Sequence, residues 1–313
     1  MDIEAIVMPV LIVRPFWDRE TYNLSVLAAF GVGGERSRKL LVAVDGHGDM
    51  LSLEDSPLAR DGKILILAYD HGLEHGPTDF TEHPERMAPE TVFDVATHDA
   101  VTSVAVQKGL AEGYYPSYED DVSLLTKLNG TSNLWMGEPD SSVNCTVDYA
   151  ADIGADAVGF TLYGGSNNEI EMAEEFRDAQ ESARAHDLPM VMWSYPRGQG
   201  LKNDTSPDTI AYAAREALEL GADVAKVKYP GSREAMEHTV QAAGGENGAK
   251  VVMSGGSKTS DEDFLKNVKA VMDAGGAGLA VGRNVWQREN PTQLLDALEA
   301  VIHEGASVDA ALS

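Results

Sequence analysis

An α/β fold, a (β/α)8 TIM barrel behind an N-terminal extension, is what this sequence predicts, on three observations. Eight short apolar runs recur at a spacing of roughly 31 residues, close to one strand–loop–helix unit. Four of the stretches between them carry apolar residues at i, i+3 and i+4 behind a capping residue, as helices laid on a sheet do. The loop after the first run, Asp70-His71-Gly72-Leu73-Glu74-His75-Gly76-Pro77, is no G-x-G-x-x-G. That counts against the runner-up, an open doubly wound sheet with a dinucleotide site.

Charge narrows the partners. Against 24 Lys+Arg stand 51 Asp+Glu, a net charge of −27 over 313 residues. Nucleic acid and anionic membrane are poor partners for such a surface. The carboxylates are spread over helix positions such as Glu169, Glu171, Glu174, Glu175 and Asp178, lysine is scarce and alanine abundant. The expectation is a halophilic, salt-screened surface rather than an acidic tail. Cys145 is the single cysteine, so no internal disulfide forms and a reducing, cytoplasmic setting is expected. No apolar run approaches the 18 residues of a membrane span.

Taken in order, residues 1–49 come first. Seven acidic and five basic residues give them a net charge of only −2, and they hold several glycines and little helical periodicity. They begin Met1-Asp2-Ile3-Glu4, without the basic region of a signal peptide. They are read as an extension of unknown role, poorly ordered or not native, with Met50 a candidate start for the barrel domain, 50–313.

The first strand is expected over 64–69, ending at Asp70, a candidate charged or proton-shuttling group where barrels keep their chemistry. His71 and His75, four apart, raise the question of zinc. The surrounding glycines and Pro77 argue instead for a loop, and no third ligand falls at a recognisable spacing. His75 is read as a substrate contact, and Glu74 as a contact or a loop-bracing ion pair. Strands follow over 103–107, 124–128 and 157–162, with a helix over 168–186.

The fifth strand, 189–193, runs into Trp193-Ser194-Tyr195-Pro196-Arg197-Gly198, where alternation puts Trp193 and Tyr195 on one face. They read as an acid–base tyrosine beside an aromatic wall, or as an aromatic plug. After a helix over 206–220, the sixth strand, 224–228, carries Lys226 and Lys228 on one face. A lysine in an apolar setting loses its charge readily and attacks carbonyls; a lysine at a strand end can equally reach out to water. The seventh strand, 250–253, leads into Ser254-Gly255-Gly256-Ser257-Lys258. The eighth, 278–281, leads into Gly282-Arg283-Asn284. Glycine loops on the last two strands suit a phosphate, with Arg283 as a planar donor. Helices over 260–274 and 291–304 complete the units, and Pro207 and Pro291 sit in first turns, where a missing N–H costs nothing.

The motifs at residues 70–77, 193–198, 226–231, 254–256 and 282–284 stand in the same order as in archaeal-type class I fructose-1,6-bisphosphate aldolases, which the chain resembles over roughly residues 51–304. The resemblance implies a metal-free barrel, no cofactor beyond a covalent Schiff base on lysine, and a homo-oligomer. It implies Lys226 as the Schiff-base lysine, Tyr195 as general acid/base with Asp70 assisting, and Trp193 lining the site. His75, Lys228, Ser254, Gly255, Gly256, Gly282 and Arg283 are the expected substrate contacts, with Lys228 lowering the pKa of Lys226 by like charge. Pro230 departs from the small polar residue expected there. Two rival functions share these features. One is a lysine-dependent synthase joining a sugar phosphate to an aspartate-derived aldehyde (2-amino-3,7-dideoxy-D-threo-hept-6-ulosonate synthase). The other is a noncatalytic sugar-phosphate-binding barrel.

Overall fold

The computed structural model describes Leu53 and residues 56–313; the extension read over 1–49 lies outside them. Eight strands form the wall: β1 (Ile64–Ala68), β2 (Ser103–Gln107), β3 (Ser123–Lys127), β4 (Ala157–Leu162), β5 (Met190–Ser194), β6 (Val224–Val227), β7 (Lys250–Ser254) and β8 (Gly278–Val281). Each pairs in parallel with its sequence neighbour, and β8 closes on β1. One principal helix follows each strand: α1 (Pro89–Ala96), α2 (Lys108–Tyr114), α3 (Val147–Asp152), α4 (Glu169–Ala185), α5 (Pro207–Glu219), α6 (Arg233–Ala242), α7 (Asp261–Asp273) and α8 (Pro291–Ile302). This is the predicted (β/α)8 barrel.

The strands are continuously apolar because both faces are covered. One face looks inward, where Ile64, Ile66, Leu125, Val191, Trp193, Val224, Val252 and Ala280 form the inner cluster, with Leu58 plugging the foot. The other face, with Leu65, Leu67, Val104, Leu124, Val158 and Leu279, packs on the apolar stripes of the helices. Each such side chain contributes about 1.5–3 kcal/mol by leaving water. An ionisable residue on the inward face therefore stands out energetically.

Strand limits at 103–107, 157–162 and 278–281 fall where the sequence puts them. The sixth strand stops at Val227, so Lys228 lies beyond it. Ser206, Ser260 and Asn290 cap α5, α7 and α8 by accepting from the N–H three residues on, a device worth about 1 kcal/mol each. Asn168 does not cap α4, because its side chain donates to Asp140 instead. Helices α1 to α3, at 8, 7 and 6 residues, are too short to show a period in sequence.

One glycine shapes the interior. At Gly159 on β4 a Cβ would lie 2.5 Å from a ring carbon of Trp193, so the missing side chain is what lets the indole lie across the barrel. The connection from β3 to α3 is a long excursion at the mouth, and holds Leu134, Trp135 and Met136 in solvent.

Candidate active site

Continuing the inward series past the strand ends gives the site. On β1 the series 64, 66, 68 reaches Asp70; on β5, 191 and 193 lead to Tyr195; on β6, 224 and 226 lead to Lys228; on β8, 278 and 280 lead to Gly282. Together these ends enclose a cavity of about 250 Å³. Every residue the sequence singled out lines it: Lys226, Tyr195, Asp70, Trp193, His75, Lys228, Ser254, Gly255, Gly256, Gly282 and Arg283.

Lys226 is 4 % exposed and stands over the aromatic wall, its Nζ 4.4 Å from the Trp193 ring centroid and 6.0 Å from that of Tyr195. Among the described residues no carboxylate lies within ion-pair distance of it. Burial pulls its pKa down to about 8, while Asp70 and then Glu74 pull the other way. Roughly a tenth of such an amine is neutral at pH 7, against well under a thousandth for a free lysine. Tyr195 moves oppositely: burial, then the charge of Asp70, raises it far above a free phenol, and the hydrogen bond with Ser254 only partly offsets this. Near neutral pH it is therefore a neutral phenol.

Lys228 does not have the electrostatic role expected of it. Its ammonium is bound to Asp204 at 2.5 Å, which neutralises it, and Asp70 and Glu74 are the charged groups that act on Lys226. The like charge near Lys226 belongs to a residue the sequence analysis passed over, Lys127 on β3. It is 2 % exposed, lies 5.2 Å from the Trp193 ring centroid, and donates to Asn129 O at 3.0 Å and Asn129 Oδ1 at 2.8 Å. Burial lowers its pKa to about 7; Asp70 opposes this and Lys226 adds to it. Its signal was present, since 124–128 is an apolar run interrupted by a lysine, as 224–228 is.

The first connection is braced as one alternative reading had it. Glu74 binds Arg197 at 3.1 Å across the mouth, and Arg197 lies 5.1 Å over the Tyr163 ring. His75 Nδ1 faces Asp79 Oδ2 at 2.6 Å. His71 stacks on Trp286 at 4.4 Å, and burial lowers its pKa to about 4, so it is neutral. Neither imidazole points to a metal, and no cluster of three or more such ligands occurs among the described residues.

The last two loops are built as a unit. Gly256 has φ +63°, which side-chain-bearing residues rarely adopt. Asn284, fully buried, donates to Gly255 O at 2.6 Å and Ser257 O at 2.8 Å, tying the β8 loop to the β7 loop. Buried Arg86 donates to the carbonyls of Trp286, Arg288 and Glu289, fixing the segment behind Arg283. Sequence showed the glycines and Arg283 but gave no sign of the Asn284 and Arg86 clamps, which join residues far apart in the chain.

Residues 64–288 match the model of the DeoC/LacD family aldolases. The chain is 75% identical over 263 residues to the class 1 fructose-bisphosphate aldolase of Halobacterium salinarum, covering 84% of this chain and 99% of that one. It is 47% identical to an archaeal fructose 1,6-bisphosphate aldolase of known crystal structure, with a TM-score of 0.75, over 79% of this chain and 96% of the other. A further archaeal fructose-1,6-bisphosphate aldolase structure, with its catalytic lysine covalently bound to the carbinolamine intermediate of the substrate, is 46% identical. Its TM-score is 0.75, over 79% of this chain and 96% of that one.

Proposed function

The chain belongs to the DeoC/LacD family, among the class I fructose-bisphosphate aldolases, and we propose that Lys226 is the amine that carries its reaction. It is a lyase of the Schiff-base type that cleaves fructose 1,6-bisphosphate to dihydroxyacetone phosphate and glyceraldehyde 3-phosphate. The observation that carries the assignment is a buried lysine with no carboxylate partner among the described residues, facing an aromatic wall and a phenol inside the mouth.

Lys226 as free amine adds to the C2 ketone, and loss of water from the carbinolamine leaves an iminium cation. That cation accepts the electron pair of the C3–C4 bond as the bond breaks. The C4 hydroxyl proton passes to Tyr195 while the phenol's own proton passes to Asp70. A neutral phenol thus serves as a relay without first ionising. Glyceraldehyde 3-phosphate departs, the relay runs backward to protonate the enamine at C3, and water releases dihydroxyacetone phosphate. The backbone of Gly255 and Gly256, with Gly282 and Arg283, holds the C1 phosphate and so fixes the ketone against Lys226. Ser254 orients Tyr195; His75 and Lys228 complete the substrate wall.

The Schiff base on lysine supplies the electron sink, so the mechanism proposed here uses no metal and no separate cofactor. A homo-oligomer working in the cytoplasm at high salt fits the acidic surface and the salt-dwelling relative. No helix among the described residues is long and apolar enough to cross a membrane. Borohydride reduction in the presence of fructose 1,6-bisphosphate tests the assignment: the adduct is expected on the peptide carrying Lys226. An adduct on Lys228 or Lys127, or none, would move or remove it.

A further inference from the structure

Taking the site as the Schiff-base centre described above, we propose that Lys127 is a positioning residue for the reaction. It and Lys226 share one positive charge across the Trp193 indole, and Lys127 carries that charge whenever Lys226 is the free nucleophile.

Geometry brings the two amines together. Register pairs Lys127 with Gly159 on β4 and Trp193 with Lys226 on β6, so the side chains meet around one stretch of wall. Because Gly159 has no Cβ, the indole fills the space between them, with Nζ of Lys127 at 5.2 Å and of Lys226 at 4.4 Å from its centroid. Both lysines are almost wholly removed from water, where like charges repel far more strongly than at a surface. Two ammonium groups at once are therefore disfavoured, and the amines titrate as a pair.

Their surroundings decide where the proton sits. The Lys127 ammonium has two oxygen acceptors, the carbonyl and side-chain oxygen of Asn129. Asn129 is itself locked, donating to Ser141 O and Thr161 O and accepting from Thr161 N. Hydrogen bonds to a charged form favour that form. Among the described residues, Lys226 Nζ has the rings of Trp193 and Tyr195 against it and no oxygen acceptor. The other charged groups around the pair are accounted for. Asp70 and Glu74 on the β1 connection attract both amines, Arg197 is tied to Glu74, and Lys228 to Asp204. Burial brings both amines close to neutrality, to about 7 for Lys127 and about 8 for Lys226; that order alone would leave the proton on Lys226, and the two oxygen acceptors at Lys127 are what reverse it.

The condensation then balances inside the pair. Lys226 adds to the ketone, and the carbinolamine hydroxyl leaves as water on taking up one proton, matched by the one that Lys127 gives up to solvent. The iminium cation appears on Lys226 as Lys127 becomes neutral. One positive charge lies over the indole before and after, so the step requires no second buried charge.

The test is the rate of borohydride trapping with dihydroxyacetone phosphate as a function of pH, in wild type, Lys127→Met and Lys127→Arg. With the like charge gone, the acid limb of Lys127→Met is expected to move up by about one pH unit. Its rate should be several-fold lower at pH 7 and return to the wild-type rate near pH 9.5. Lys127→Arg, whose charge persists, should keep the limb at or below that of wild type. A defect in Lys127→Met that persists at high pH, or an unmoved limb, would overturn the pairing and leave Lys127 a structural group. Should Lys127→Met fail to fold by circular dichroism, the arginine variant decides, and a limb above wild type overturns the proposal. Absence of any adduct in wild type would instead sink the aldolase reading of the site, which the pH comparison by itself cannot do.

Discussion

The two ends of the barrel make an instructive pair. At the foot, a cavity of about 590 Å³ is lined by Arg60, Glu119, Asp120, Asp121 and Asp156. At the mouth, the cavity is less than half that size. The larger one is also lined by charge, yet its charges are answered or wet. Arg60 pairs with Glu299 at 2.8 Å, Asp156 accepts from the Leu124 N–H at 2.8 Å, and Glu119, Asp120 and Asp121 face water. At the mouth, two lysines are buried with no carboxylate of the described residues at contact distance, and a phenol is held neutral beside them. Reactivity follows from desolvated groups whose protonation is poised, and volume is a poor guide to it.

That contrast breaks most visibly at Lys226. Lys226→Met is expected to lower kcat by a factor on the order of 10⁴ or more, since nothing else supplies the electron sink. It should also keep or raise the melting temperature, because methionine fills the space without a desolvated ammonium. Residual turnover near wild type would mean the mouth works by other means. Tyr195→Phe should cost on the order of 10² in kcat, with the covalent adduct still trapped, because the relay acts after the iminium forms. Loss of adduct formation itself would instead give the phenol a role in condensation. At the other extreme, the double change Asp120→Asn and Asp121→Asn at the foot should leave kcat and KM within about twofold. A large loss there would show that the ends are coupled and the comparison too simple.

Much of the barrel and most of its mouth were legible because closed parallel sheets write themselves plainly. Strands covered on both faces are unbroken apolar runs, and the residues just past their ends, Asp70, Tyr195 and Gly282, carry the site. Less legible was anything depending on where a strand stops. Parity alone put Lys228 beside Lys226, but β6 ends at Val227 and Asp204 arrives from the preceding connection to take up the charge. Lys127 obeyed the rule that exposed Lys226, a lysine inside an apolar run, and was missed because the rule was applied to one strand only. The clamps made by Arg86 and Asn284 gave no local signal, because each joins backbone from different units of the barrel.

The bare α-carbon at position 159 has a practical consequence. It sets how deep the aromatic floor of the cup lies, and so how tall a ketose can stand on it before its far phosphate meets the rim. Gly159 is thus a dial for engineering: one added methyl would press on the indole, raise the floor, and shift the seat that Lys226 and Lys127 share.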